Sequence, residues 1–297
     1  MLDVSIRTAT HDDLPAIHRV WYATETIGEL DPPPLGEPHP WLNHVLRTGT
    51  LLVAERDGMI IGFAGIIARG DLVYLTDLFV APETQSHGVG GALLDAILPR
   101  DGRTLATIGS SDPRAQALYI RAGMTPEWPD YQIHVERERW RTANVDLGGV
   151  HMIEAARMEA DLLAFDAEIS GRPRPEEHAY WVDECAGTPF WFQRTGERIG
   201  YGYVRLAPET PLQSADLAVV GPIGVRDSRD AAACVLAAVG WALERSPVAR
   251  LLVPGPHPAL RPLLIAGGVI KYAETFLCSA PPCVDASRYL PSDGTFF

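Results

Sequence analysis

Leu78-Phe-Val-Ala-Pro-Glu-Thr-Gln-Ser-His-Gly-Val-Gly-Gly-Ala-Leu-Leu94 passes from an apolar strand through a glycine-rich turn into a helix. Such a turn presents backbone N–H groups, and the helix N-terminus adds partial positive charge, so an anionic phosphate can sit there without a lysine. A Cβ at Gly88 or Gly90 would hold phosphates away from the backbone. Two other phosphate loops are excluded. A P-loop ends in Gly-Lys-Ser/Thr, whereas this chain has Gly91-Ala92-Leu93. A dinucleotide fingerprint starting at Gly88 needs glycine where Leu93 stands.

Upstream of the turn the chain reads as strands. Leu51 to Arg56 leads to an Asp57-Gly58 hairpin signal, Ile60 to Ala68 to a turn at Gly70-Asp71, and Leu72 to Val80 to the glycine turn itself. Farther back, residues 3 to 8 alternate as a strand. Thr10-His-Asp-Asp13 has the form of a capping box, after which Leu14, Ile17, His18 and Trp21 share a helical face. Gly28 to Pro40 is a stiff proline-rich loop, and Trp41, Leu42, Val45 and Leu46 predict a short second helix. Downstream, Leu93, Leu94, Ile97 and Leu98 line the buried side of a helix. Arg103 to Ile108 is a strand, Pro113 to Ala122 a helix, and two weaker strands end near Val135. This order predicts an α/β fold, a mixed sheet flanked by helices.

The glycine turn resembles the cofactor motif of the GNAT N-acetyltransferases, R/Q-x-x-G-x-G/A, here Gln85-Ser-His-Gly-Val-Gly90 with the preceding V-x-P at Val80-Ala-Pro82. Farther on, Ser111-Asp-Pro-Arg-Ala-Gln-Ala-Leu-Tyr-Ile-Arg-Ala-Gly-Met124 resembles the family's N-x-x-A-x-x-L-Y-x-x-x-G-F segment, with Asp112 in place of the common Asn. The resemblance covers most of residues 3 to 135. It implies a mostly antiparallel sheet whose strands splay into a notch between Val80 and Ile108, holding acetyl-CoA as co-substrate and no metal. Backbone groups of Leu78, Phe79 and Val80 would pair with the pantetheine arm. Amides of Gln85, Ser86, His87, Gly88, Val89, Gly90 and Gly91 would hold the pyrophosphate, with Asp112, Ala115 and Tyr119 completing the cofactor side.

Tyr119 is similar in position to the family's proton donor to the departing thiolate. It stands seven residues after Asp112, about two turns along a helix that begins near Pro113, and can look into the notch. The alternative is a core tyrosine bonded to a backbone carbonyl. The attacking amine must be neutral, which calls for a base or a water chain. Some relatives place a Glu before an Asp on the strand entering the motif. Here the pair is Thr76-Asp77, a departure that makes Asp77 the nearest candidate base. Glu25 and Glu29, beside the proline-rich loop, are candidates for binding an acceptor ammonium, with solvated loop charges as the alternative. His87 reads as a surface residue, and His134 stays unassigned near the acceptor side.

The second half repeats the first. Arg56-Asp-Gly-Met-Ile-Ile-Gly-Phe-Ala-Gly65 aligns with Arg194-Thr-Gly-Glu-Arg-Ile-Gly-Tyr-Gly-Tyr203, residue 56 against 194, an offset of 138. Asp112-Pro113 through Met124 aligns with His257-Pro258 through Val269, residue 112 against 257, an offset of 145. The proline-rich stretch Ala207 to Gln213 is the natural place for the extra residues. At the second offset Gly88 becomes Ala233, Gly90 Val235, Tyr119 Leu264 and Gln85 Asp230, whose charge repels phosphate. The expectation is a catalytic domain over 1–138, a linker over 139–144, and a degenerate copy over 145–297 that braces the first and walls the acceptor pocket. Pro254-Gly-Pro-His-Pro258 is a helix-start turn rather than a ligand site. The tail from Pro281, with Tyr289, Phe296 and Phe297, is expected to pack on the body or on a neighbouring copy, which allows a homodimer.

Composition narrows the partners. The 297 residues carry 25 Lys and Arg against 38 Asp and Glu, a net charge of −13, which excludes a broad footprint for nucleic acid. A small cationic amine fits better. Lys271 is the only lysine. Four cysteines, none in a CxxC, predict buried free thiols, although Cys278 and Cys283 are near enough to meet across a turn. No signal peptide or membrane span is evident, and a cytoplasmic location is expected. The leading reading is an acetyl-CoA-dependent N-acetyltransferase acting on a primary amine. The second is a non-catalytic acyl-CoA sensor or scaffold.

Overall fold

A computed structural model describes residues 4–206 and 216–294. The first half runs β1 (Ser5–Thr8), α1 (Leu14–Glu25), α2 (Pro40–Thr48), β2 (Thr50–Arg56), β3 (Met59–Arg69), β4 (Leu72–Val80), α3 (Val89–Ile97), β5 (Thr104–Gly109), α4 (Pro113–Arg121), β6 (Thr125–Glu136) and α5 (Arg137–Thr142). The second repeats that order as β7 (His151–Glu154), α6 (Ala160–Ser170), α7 (Pro175–Asp183), β8 (Thr188–Arg194), β9 (Glu197–Arg205), β10 (Leu217–Val225), α8 (Ser228–Arg245), β11 (Val248–Pro254), α9 (Leu260–Ile265) and β12 (Val269–Cys278), then adds β13 (Tyr289–Leu290). The insertion anticipated at Ala207 to Gln213 lies outside the described residues, as do Phe296 and Phe297. No helix among the described residues is long and apolar enough to cross a membrane.

The matched hairpins share a backbone signature. Asp57 and Gly58 sit at φ 52° and 75°, Thr195 and Gly196 at 49° and 85°, the two left-handed residues that a tight hairpin turn requires. Each half then has four antiparallel strands followed by a parallel step, β4 to β5 and β10 to β11. The parallel pairing is short. It joins Leu72–Tyr74 to Thr104–Ala106 and Leu217–Val219 to Val248–Arg250, after which the strands part.

The two sheets are continuous. Their order is β1-β2-β3-β4-β5-β12-β6-β11-β10-β9-β8-β7. Each half has given its last strand to the middle: β12 pairs β5 with Phe276 opposite Ile108, and β6 pairs β11 with Ile133 opposite Leu251. The two exchanged strands also pair with each other, Phe276 opposite Trp128. The linear division near residue 139 therefore does not divide the sheet. It also corrects the expectation of two weak strands before Val135. Partners on both edges hold a single strand, β6, extended through Pro126 and Pro129 despite their missing N–H groups. The charged run after Glu136 is helical as α5, and Trp140 packs near Gly240 of α8.

One apolar core spans both halves beneath the sheet, bringing Trp21, Trp41 and Leu42 together with Phe165, Trp181, Phe276 and Tyr289. Salt bridges close the same seam. Glu177 of α7 lies 2.6 Å from Arg69 of β3 and 3.3 Å from His44 of α2. Beneath the second half, Asp166 of α6 and Arg174 form a fully buried pair at 2.6 Å, with the Tyr201 hydroxyl donating to the same carboxylate and His178 at 2.9 Å. The four cysteines are free thiols.

Candidate active site

The departure of β4 from β5 opens a cavity of about 1320 Å³. Its floor is set by local sequence. Gly88, at φ +85°, caps α3 in a left-handed conformation. The first bond of that helix runs from the Ala92 N–H to the Gly88 carbonyl, so the amides of Val89, Gly90 and Gly91 have no acceptor within it. They form a cradle of donors with the positive end of the helix dipole behind them, which fits a diphosphate. Asp112 caps α4 by accepting from the Arg114 N–H at 2.8 Å. The Arg114 guanidinium reaches the Gln85 side chain at 3.2 Å and the Ser86 hydroxyl at 3.4 Å, placing a cation beside the glycine turn.

Of the residues singled out for the cofactor, Leu78, Phe79, Val80, Gln85, Ser86, Gly88, Gly90, Gly91, Asp112, Ala115 and Tyr119 line this cavity. Two do not. The Val89 side chain is buried in the core under α3, which leaves only its N–H for a ligand, and His87 is exposed, with Nδ1 2.7 Å from the Gln85 carbonyl oxygen. Asp77, Glu25 and Glu29 line the same cavity.

Tyr119 is buried where β4 and β5 part, its ring lying along the backbone of Gly109. Its hydroxyl makes no hydrogen bond to the protein among the described residues, so it is not a core tyrosine tied to a carbonyl. Burial, together with the charges of Glu274, Asp77 and Asp112, pushes its pKa above the usual phenol value and keeps it protonated. A Cβ at Gly109 would fall 2.5 Å from the Tyr119 ring, displacing it. Gly109→Ala is expected to lower kcat about 100-fold, the usual cost of an ångström's misplacement. Steady-state thiol release measures it, and a kcat within threefold or so of wild type would show that the ring position does not matter.

Asp77, 4% exposed, accepts from the Thr76 hydroxyl at 2.7 Å and the Trp41 indole at 3.3 Å. Burial raises its pKa to about 6 against those two bonds, with Asp293 adding to the rise. Thr76, the departure from the family pattern, is thus a hydrogen-bond donor that orients Asp77. His134 is held neutral, its pKa lowered to about 4 by burial, Lys271 and Arg250.

The sequence led to the expectation that the second half walls the pocket, but it named none of the residues of that wall. Tyr180, Arg250, Tyr272, Glu274 and Asp293 all line the cavity from the second half of the chain. The exchanged strand β12 brings Tyr272 and Glu274 there, and no local pattern announces it. Arg114 was within reach of inspection, as the one basic side chain in the first turn of α4.

The matching slot of the second half is closed. Where the glycine turn would stand, α8 has already begun at Ser228, capped by Asp227, and Asp230 is paired with Arg194. The edge of β10 at Ile223 and Gly224, counterparts of Leu78 and Phe79, is taken by β13. His257 accepts from the Ala259 N–H at 3.2 Å, a helix-start contact.

Residues 47–125 match the family model described as an acetyltransferase (GNAT) domain. The mycothiol acetyltransferase of Sanguibacter keddieii is 23% identical over 261 residues, 76% of this chain and 78% of that one. A Pyrococcus horikoshii structure described as an acetyltransferase superposes with a TM-score of 0.75 at 16% identity, covering 100% of this chain and 97% of the other. A tandem GNAT protein from the clavulanic acid biosynthesis pathway superposes with a TM-score of 0.63 at 14% identity, over 94% and 99% of the two chains. With the glycine cradle, the splayed notch and the doubled sheet, these likenesses agree: residues 47–125 match a GNAT acetyltransferase domain, and the whole chain has the fold of the tandem GNAT proteins.

Proposed function

We propose that the protein acetylates a primary amine of a small cationic molecule by direct attack, at a single site in the first half of the chain. The observation that carries this reading is the Tyr119 hydroxyl, buried, protonated and unbonded in a notch whose cavity also contains Asp77. Acetyl-CoA supplies the acetyl group as an activated thioester. The amides at the start of α3, with Arg114 beside them, hold its diphosphate, and the edge of Leu78 to Val80, beyond the last β5 pair at Tyr74, aligns its arm. Asp77 takes a proton from the acceptor nitrogen as the N–C bond forms, and Tyr119 gives one to the sulfur as the C–S bond breaks. The acceptor end favours a cation: Asp77, Glu25, Glu29, Glu274 and Asp293 line the cavity there, with Arg250 as the cation among them.

In this reading residues 1–138 carry the catalytic machinery, 139–144 the connection, and 145–297 a copy that has kept the shape and lost the site. The helical winding at Asp230 and the β13 strand on β10 support the loss.

Asp77 acts as a base only when ionised. With its pKa raised to about 6, it is protonated and idle below that value and competent above it. Thiol release from acetyl-CoA across a panel of amines should therefore be amine-dependent, with kcat/KM rising through about pH 6, and Asp77→Asn should abolish that rise. If no amine raises thiol release above the hydrolytic background, the proposal fails.

A further inference from the structure

The acceptor end of the cavity has more carboxyl groups than one ammonium needs, and the second half supplies two of the five, Glu274 and Asp293. Glu274 lies on the exchanged strand β12. Asp293 lies in the segment after β13, which is fixed at several points: the Tyr74 hydroxyl donates to the Gly294 carbonyl at 2.5 Å, and Arg205 donates to the Ser292 carbonyl at 3.0 Å and approaches Asp293 at 3.4 Å. A Cβ at Gly294 would lie 3.4 Å from Oε2 of Glu274, so this segment runs against that carboxylate.

The groups facing Glu274 come from every neighbouring element. Arg250 of β11 is the cation among them. Glu25 of α1 and Asp293 are anions that raise its pKa beyond the effect of burial, while Glu274 acts in turn on Tyr74 of β4, Tyr119 of α4 and Asp130 of β6. Asp293 raises Asp77 as well as Glu274. The cavity thus has two carboxylate wells on different elements, Asp77 on β4 and Glu274 on β12, with the tail carboxylate close to both.

A separate observation points to a donor-rich ligand. Gln132, 7% exposed, lines the cavity; its amide nitrogen meets the neutral His134 ring at 3.1 Å, and its Oε1 has no hydrogen-bond partner. A buried acceptor oxygen without a donor is costly. A ligand ammonium or amine N–H would satisfy it.

We infer that Glu274, Asp293 and Gln132 form a second cation subsite, and that the acceptor is a diamine or longer polyamine. One amino group is acetylated between Asp77 and Tyr119 while another is held as ammonium against Glu274. The inference rests on the amine reading above and narrows it.

Matched pairs test it: butylamine against butane diamine, hexylamine against hexane diamine, and the lengths between, each by thiol release. At one or more lengths the diamine should exceed its monoamine in kcat/KM by about tenfold or more, as expected for a charge-assisted contact. Glu274→Gln and Asp293→Asn should each shrink that ratio, with the KM for acetyl-CoA retained as evidence that the fold and cofactor side survive. Glu274→Asp should keep part of the preference. Equal rates for monoamines and diamines at every length, or a ratio untouched by Glu274→Gln, would overturn the subsite. Absence of amine-dependent release with any member of the panel would overturn the amine reading itself and the subsite with it.

Discussion

Tyr119→Phe is expected to lower kcat for acetyl transfer by about 100- to 1000-fold, within the range of a lost general acid, while acetyl-CoA still binds. The substitution removes one oxygen and nothing else of consequence. The ring still packs on Gly109, and no hydrogen bond to the protein is lost, because the hydroxyl makes none among the described residues. Stability should move by less than about 0.5 kcal/mol, as for changes away from packed or bonded features. The loss should also be nearly independent of pH, since burial and the surrounding carboxylates keep the phenol protonated. A thermal melt alongside single-turnover thiol release separates chemistry from folding. A kcat reduced by only a few fold would remove Tyr119 from the mechanism.

Arg174→Ala should be the most destabilising change in the second half, by about 3–5 kcal/mol, the usual cost of leaving half of a buried ion pair behind. Arg174 meets Asp166 in a two-pronged contact at 2.6 and 2.9 Å, and both side chains are out of solvent. Asp166 keeps its pKa far below the usual range, even though burial opposes this, because Arg174 and His178 outweigh it. Without the guanidinium the carboxylate faces the apolar interior. The guanidinium also lies 4.9 Å above the Trp181 ring and 5.2 Å from that of Tyr289, and Tyr289 begins the strand that leads to Asp293. The variant should therefore weaken acceptor binding along with the fold. Replacing both partners, Asp166→Leu with Arg174→Met, should recover most of the stability. Denaturant midpoints of the single and double variants measure the effect; equal midpoints for wild type and Arg174→Ala would refute it.

The glycine cradle of the candidate site was legible in the sequence because its determinants are local. Left-handed Gly88, the unbonded amides after it, and the Asp112 cap that aims Tyr119 all act within a turn or two of chain, and each needs a particular residue type. The repeat was legible for the same reason, in the Asp57-Gly58 and Thr195-Gly196 turns. Strand pairing is not local. Nothing in Val269 to Cys278 distinguishes an edge strand of its own half from a strand seated beside β5, and so Glu274 carried no signal. Nor did Asp293, which owes its position to β13 closing the second notch. Thr76 is intermediate: read alone it is a missing glutamate, and only its contact with Asp77 shows an orienting donor.

The exchange of β6 and β12 also bears on how the molecule is made. During synthesis β5 emerges without its neighbour, and about 160 residues must follow before β12 exists to pair with it, on the order of ten seconds or more at ordinary elongation rates. Until then the notch has one wall and an open edge, exposed to wrong partners. The half of the chain that carries the glycine cradle is thus the first to leave the ribosome and among the last to be completed, because its sheet waits for a strand from the other half.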